Sequence, residues 1–203
     1  MKKLRELLSI SRNKKGTREV IGIMGTHSGT GVTFTGLMLA FYMGEECGKR
    51  TAYLECNDHQ DMFAIYTSYN WTYEEEDSFS YHRVTCFPEV DKEKIVRIMD
   101  AGFECIIMDF GSDYESYQDE LMRCTTKIIV GGRAPWEMNR LNRFLDKAMF
   151  SGGTSYRYLI PQAGTGVMNA LKNELSIKVS SVPFVDDPVL PSKTINQFFK
   201  EIL

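Results

Sequence analysis

Gly25-Thr26-His27-Ser28-Gly29-Thr30-Gly31-Val32-Thr33 follows the apolar run Val20-Ile21-Gly22-Ile23-Met24 and precedes a helical pattern that begins near Thr33. A strand, a glycine-rich turn and a helix start, in that order, make an anion cradle. Backbone N–H groups converge in such a turn, and the partial positive charge of the helix N-terminus draws negative charge to it. The pattern predicts a strand over 19–24. It then predicts a helix with Phe34, Leu37, Met38 and Phe41 on its inner face, ending at Gly48.

The rest of the chain repeats this alternation. Thr51–Cys56 reads as a second strand, followed by the loop Asn57-Asp58-His59-Gln60-Asp61 and a helix over 61–69. Trp71–Ser78 reads as irregular and carries the acidic run Glu74-Glu75-Glu76-Asp77, a solvated face without metal-ligand spacing. A strand over 81–87 stops at Pro88. Val90, Ile95, Ile98 and Met99 suit a helix ending at Gly102, and Phe103–Phe110 is a strand with Asp109 near its end. A helix over 114–123 and a strand over 127–130 come next. Pro135 then opens a helix expected to bury Trp136, Leu141, Phe144, Leu145 and Ala148. A strand over 156–160, a helix over 167–175, a short strand over 178–182 and a helix capped by Ser192 complete the order. Alternating elements with continuously apolar strands predict an α/β fold, a mostly parallel twisted sheet with helices on both faces. Ligands of such sheets sit at the strand carboxyl ends. The glycine turn, Glu55–Asp58 and Asp109 all fall there, so they are expected to converge.

The 203 residues suit one domain over 18–203 behind a basic arm over 1–17. Residues 1–20 hold seven basic and two acidic side chains, a net of +5, which leaves −8 on the remainder of a chain whose total is −3. An acidic body is not built for broad nucleic-acid binding. In the arm, Leu4, Leu7 and Leu8 share one helical face opposite lysines and arginines. Such a segment touches an anionic membrane surface or a partner, or packs on its own domain. Five cysteines without a CxxC pair read as buried free thiols of a reducing cytoplasm. No apolar run spans a membrane and no secretion signal is visible, so the expected location is the cytoplasm or the inner face of its membrane.

The glycine turn resembles the P-loop pattern GxxxxGK[ST], with Gly31 and Thr33 in place, Val32 where the lysine belongs and Thr26 at the first glycine position. More narrowly, the chain resembles the MinD/ParA group of P-loop ATPases, whose loop reads KGGxGK[ST][ST]. On that pattern His27 stands at the signature lysine, Ser28 at the next glycine, and Phe34 at the last position. Glu55 and Asn57 stand at the family's acidic pair after the second strand. The run through Asp109 is similar to the family's YDYIIID. Val182-Pro183-Phe184 with Asp186-Asp187-Pro188-Val189 is similar to its IPxDPxV near the base.

The resemblance implies ATP or ADP with Mg, held at Gly25, His27, Ser28, Gly29, Thr30, Gly31, Val32, Thr33 and Phe34. It implies Mg at Thr33 and Asp109, switch positions at Glu55 and Asn57, base-side residues Pro183 and Asp186, a homodimer and a protein partner. The departures imply an impaired ATPase with no catalytic residue, because both lysines are missing and Asn57 cannot act as a base. His27 is expected to face solvent at the loop tip. The structural alternatives are a helix N-cap for Thr33 and a turn cap for Asp109.

Degenerate loops also occur in the TadZ/CpaE proteins that place pilus-secretion machinery, the branch this chain resembles. The implied role is positioning or scaffolding for a cytoplasmic or membrane-associated machine such as that of pilus assembly. Two other readings stand beside it. One is a nucleotide-free interaction module on the same fold. The other is an ATP-dependent ligase, since the turn is also similar to the GTDTGVGKT loop of dethiobiotin synthetase.

Overall fold

The computed structural model describes residues 18–69, 71–74, 78–149, 156–175, 177–190 and 192–203. The expected arm over 1–17 and most of the acidic run lie outside the described residues. Strand β1 (Glu19–Gly25) leads through the glycine turn into α1 (Val32–Phe41), which continues as a π-helical turn over Tyr42–Glu46. Then come β2 (Thr51–Glu55), α2 (Asp61–Ser68), β3 (Thr72–Glu74), β4 (Ser78–Tyr81), β5 (Val84–Phe87) and α3 (Lys92–Met99). After β6 (Cys105–Asp109) follow α4 (Tyr114–Arg123) and β7 (Thr126–Val130). A 3-10 turn over Pro135–Glu137 introduces α5 (Met138–Met149). The chain closes with β8 (Arg157–Pro161), α6 (Thr165–Leu175), β9 (Val179–Val182) and α7 (Lys193–Ile202).

The nine strands among the described residues join one sheet in the order β3-β4-β5-β2-β6-β1-β7-β8-β9. Every pairing from β5 to β9 is parallel, and β3-β4 and β4-β5 are antiparallel. The central strands are apolar on both sides because both sides are covered. Ile21, Ile23 and Ile107 pack under α1 and α7, while Val20, Met24, Ile106 and Met108 pack under α3, α4 and α5. α1 is apolar nearly all round and buries eight of its ten residues, as a helix enclosed by its own domain must. It lies close on β2 because Gly36 faces Tyr53, where a Cβ would come 2.9 Å from the tyrosine ring.

Four expectations are corrected. Within the stretch 71–78, expected to be irregular, Thr72–Glu74 form β3 and Ser78 opens β4. The single strand expected over 81–87 is broken by a tight turn at His82-Arg83, where His82 has φ 56°, so β4 and β5 form a hairpin. Trp136 is not buried. It sits in the 3-10 turn ahead of α5 and is 76% exposed. Cys47 is exposed, whereas the other four cysteines are buried free thiols. Among the described residues, no helix is long and apolar enough to cross a membrane.

Candidate functional site

The turn between β1 and α1 is shaped by two glycines in the left-handed region, Gly29 at φ 83° and Gly31 at φ 86°. Other residues rarely adopt that conformation. The turn wraps tightly over Gly25, whose Cβ would lie 2.5 Å from Thr30 Oγ1 and 2.9 Å from the His27 carbonyl. Above Gly29 the space is open. Helix starts leave their first N–H groups without intrahelical partners. Here α3, α4 and α7 solve this with Asp91, Asp113 and Ser192 as caps. α1 has no side-chain cap, so its first-turn amides face the turn with the positive end of the helix dipole behind them. That arrangement fits a phosphate. Val32, at the expected lysine position, is buried and its Cγ2 packs toward Gly25.

Asp109 closes the site from below. In register it stands beside Ile23 of β1 and Glu55 of β2. Its Oδ2 accepts from the Thr33 hydroxyl at 2.8 Å and from the Tyr53 hydroxyl at 2.7 Å, and its Oδ1 accepts from the Gly111 N–H at 2.8 Å. Burial pushes its carboxyl above the ordinary carboxylate range, even though all three donors pull the other way. Burial and the same carboxylate hold the Tyr53 hydroxyl far above its usual value, so Tyr53 remains a donor. A hydroxyl and a carboxylate are the hard oxygen donors Mg favours. Thr33 donates its proton to Asp109 and keeps its lone pairs for a cation. These two residues therefore fit the expected metal. Thr33 is not an N-cap, since that position is Gly31.

The end of β2 is occupied differently. Glu55 Oε1 accepts from the Met62 N–H at 3.2 Å, standing in for the side-chain cap that Gln60 does not give α2. Burial raises the Glu55 carboxyl, and its Oε2 has no hydrogen-bond partner among the described residues. Asn57 donates through Nδ2 to the Asp109 carbonyl at 3.2 Å and accepts from the His59 N–H at 3.1 Å.

His27 does not face solvent at the loop tip, which Ser28 and Gly29 form. Its side chain is 11% exposed, with Nδ1 2.9 Å from the Thr26 hydroxyl and Nε2 2.8 Å from Glu137 Oε1. Glu137 Oε2 also accepts from the Ala134 N–H at 2.8 Å. That backbone donor first, and His27 second, hold its carboxyl below the ordinary range.

Two clefts meet over Gly29, Thr30, Gly31 and Phe34. The first encloses about 710 Å³ between the loop, Gly111, His59 and the start of α2. The second encloses about 550 Å³ and brings Pro183 and Asp186 alongside Arg133, Gln162 and Phe184. Phe34 is 38% exposed at their junction instead of packing inward. Residues 27–34, Pro183 and Asp186 line these clefts, whereas Gly25, Glu55, Asn57 and Asp109 stand at the same carboxyl ends of the strands but line neither, Asn57 bordering a separate cleft. The structure adds Tyr53, Gly111, Glu137 and His59, which the sequence reading left out. Only Tyr53 carries a signal, because a tyrosine inside a fully buried strand must find a partner for its hydroxyl.

No protein-family model matches the sequence, and no curated protein matches it. Solved structures do match. The MinC:MinD cell division complex of Aquifex aeolicus aligns with TM-score 0.69 at 13% identity, over 91% of this chain and 96% of that one. A ParA family ATPase from Chlorobium tepidum aligns with TM-score 0.63 at 15% identity, over 92% and 94%. MinD from Pyrococcus horikoshii, complexed with Mg-ADP, aligns with TM-score 0.59 at 14% identity, over 88% and 85%. At such identities the likeness is one of architecture, and the architecture of this chain is that of the MinD and ParA ATPases.

Proposed function

We propose that this chain holds Mg-ATP or Mg-ADP, hydrolyses it at background rate, and acts as a positioning or scaffold factor of MinD/ParA type. The observation that carries the reading is the uncapped start of α1 beneath Gly29 and Gly31, with Thr33 and Asp109 beside it. The Mg-ADP complex of the P. horikoshii protein supports the ligand by analogy of fold. The MinC:MinD complex supports a protein partner in the same way.

In this reading, residues 27–34 bind phosphate through the backbone, Gly25 lets the turn close over it with its own N–H donated to the Gly111 carbonyl, Thr33 and Asp109 hold the metal, and Pro183 and Asp186 border the base. Bound Mg supplies charge neutralisation at the phosphates. Slow turnover follows from Val32, which is apolar, from His27, which Glu137 ties down, and from Asn57, whose amide cannot take a proton. Removing one electrostatic group of this kind costs about 10²–10³-fold in rate. The chain works as a homodimer in the cytoplasm or at the inner face of the membrane, which residues 1–17 contact. Pilus assembly is the process assigned on the degenerate loop.

A second reading, an interaction module without nucleotide, is favoured by one observation: Asp109 already accepts three hydrogen bonds within the fold. Phosphate release from Mg-ATP, measured beside equilibrium binding of Mg-ADP, separates the two. We expect binding with background release. Release at the rate of a working ATPase, abolished by Thr33→Ala, contradicts impairment. Absence of binding transfers the assignment to the module.

A further inference from the structure

Among the described residues, the clefts over the loop offer phosphate no lysine. The cleft over the loop is lined by no lysine and no arginine among the described residues. Its charged or chargeable lining consists of His27, His59, Asp61 and the Tyr69 hydroxyl. Any charge on His27 is matched by Glu137, 2.8 Å away. The His59 ring makes no hydrogen bond among the described residues, and Asp61 puts a carboxylate into the same cleft. In the second cleft the one cationic side chain among the described residues is Arg133, which donates to Gln162 Oε1 at 2.8 Å and shares the lining with Glu137 and Asp186. Arg140, Arg143 and Lys147 line a separate cleft with Thr26 and His27 that reaches none of residues 28–34. Over those residues, the described part of the chain leaves phosphate the α1 terminus, equivalent to roughly half a positive charge, together with any bound metal.

From this balance we propose, resting on the nucleotide reading above, that the site selects a nucleoside diphosphate over the corresponding triphosphate. The triphosphate carries one more negative charge. A fixed half-charge that is satisfied by a diphosphate does not grow to meet it, and the surrounding carboxylates oppose it. A lysine at position 32 would meet that charge. Val32 is instead turned inward against Gly25 and offers an apolar wall. Selectivity of this sign makes the diphosphate state the resident one, so that arrival of a triphosphate does not switch the protein.

The test is isothermal titration of the full chain with Mg-ADP and with non-hydrolysable Mg-AMPPNP. The expected result is a Kd for Mg-ADP at least about tenfold lower, the effect of a single uncompensated charge. Equal or tighter binding of Mg-AMPPNP overturns the proposal. Binding of neither overturns the nucleotide reading itself, and the proposal with it. In Val32→Lys the ratio is expected to fall toward one or invert. A folded V32K chain with an unchanged ratio overturns the assignment of the preference to loop charge. The wild-type comparison needs no variant, so it decides the matter even where V32K fails to fold.

Discussion

β1 and β2 flank β6 and reach the same carboxyl edge on either side of Asp109, yet the residues after them are in different states. After β1, the first amides of α1 have no side-chain cap and Gly29 opens onto space. After β2, the polar side chains are committed: Glu55 caps α2 and Asn57 ties its loop to the Asp109 carbonyl. One strand end keeps hydrogen-bonding capacity in reserve. The other has spent most of it on the fold, with Glu55 Oε2 left without a partner among the described residues. Backbone groups that hold a ligand survive changes of side chain, because the glycines and the helix start supply them. Groups that react are side chains and are lost one residue at a time. In the proposed reading, Val32, His27 and Asn57 stand where such groups would be.

The comparison can be broken at several points. The largest effect is expected at Tyr53, the buried side chain under Asp109. Tyr53→Ala removes a fully buried ring and should cost about 3–5 kcal/mol in urea unfolding. Tyr53→Phe removes only the donor to Asp109 and should cost about 1–3 kcal/mol. If the two variants lose the same stability, the hydrogen bond carries the effect and the ring's packing adds nothing; if Tyr53→Phe unfolds like wild type, packing matters at this position and the hydrogen bond does not.

Gly31→Ala should cost about 1–2 kcal/mol from its φ of 86°, since a Cβ there would have room, 3.6 Å from Pro161. Its effect on nucleotide affinity should exceed its effect on stability. An equal loss of both would mean that the loop's shape serves the fold alone.

Asn57→Asp tests the other strand end. It removes the Nδ2 donor and should cost about 1 kcal/mol by thermal unfolding. Phosphate release should stay at background despite the new carboxylate, because Val32 is unchanged. A gain in turnover would show that the end of β2 is not committed to structure.

The smallest effect is expected at Glu137. Its carboxyl is held below the ordinary range, so its contribution is present above the unfolded value near 4.3 and is lost as pH falls through the folded value. Glu137→Gln should reduce stability by about 0.5–1 kcal/mol at neutral pH and flatten the acid limb of a stability–pH curve. An unchanged acid limb would show that the His27 contact adds nothing.

The parallel core was legible because its strands are continuous apolar runs separated by helical patterns, signals that need only neighbouring residues. The β3-β4-β5 hairpins were not, because strands of three and four residues with polar positions carry little periodicity. The exposure of Trp136 was not legible because Pro135 opens a 3-10 turn before α5, and the helical spacing expected from Pro135 onward does not hold there. At the site, the glycine turn and Asp109 were legible from local motifs. The hydrogen bonds that complete them join residues 56 and 110 positions apart, Tyr53 to Asp109 and His27 to Glu137, and no local pattern reports those. The inward turn of His27 belongs to the same class. Its acceptor lies on the far side of β7.

The central claim is that the reserve at the start of α1 belongs to a nucleotide. Thermal unfolding of the full chain, with and without millimolar Mg-ADP, in wild type and Thr33→Ala tests it most directly. We predict that Mg-ADP raises the wild-type melting temperature and that Thr33→Ala removes most of the rise. A wild-type melting temperature unmoved by nucleotide would contradict the account.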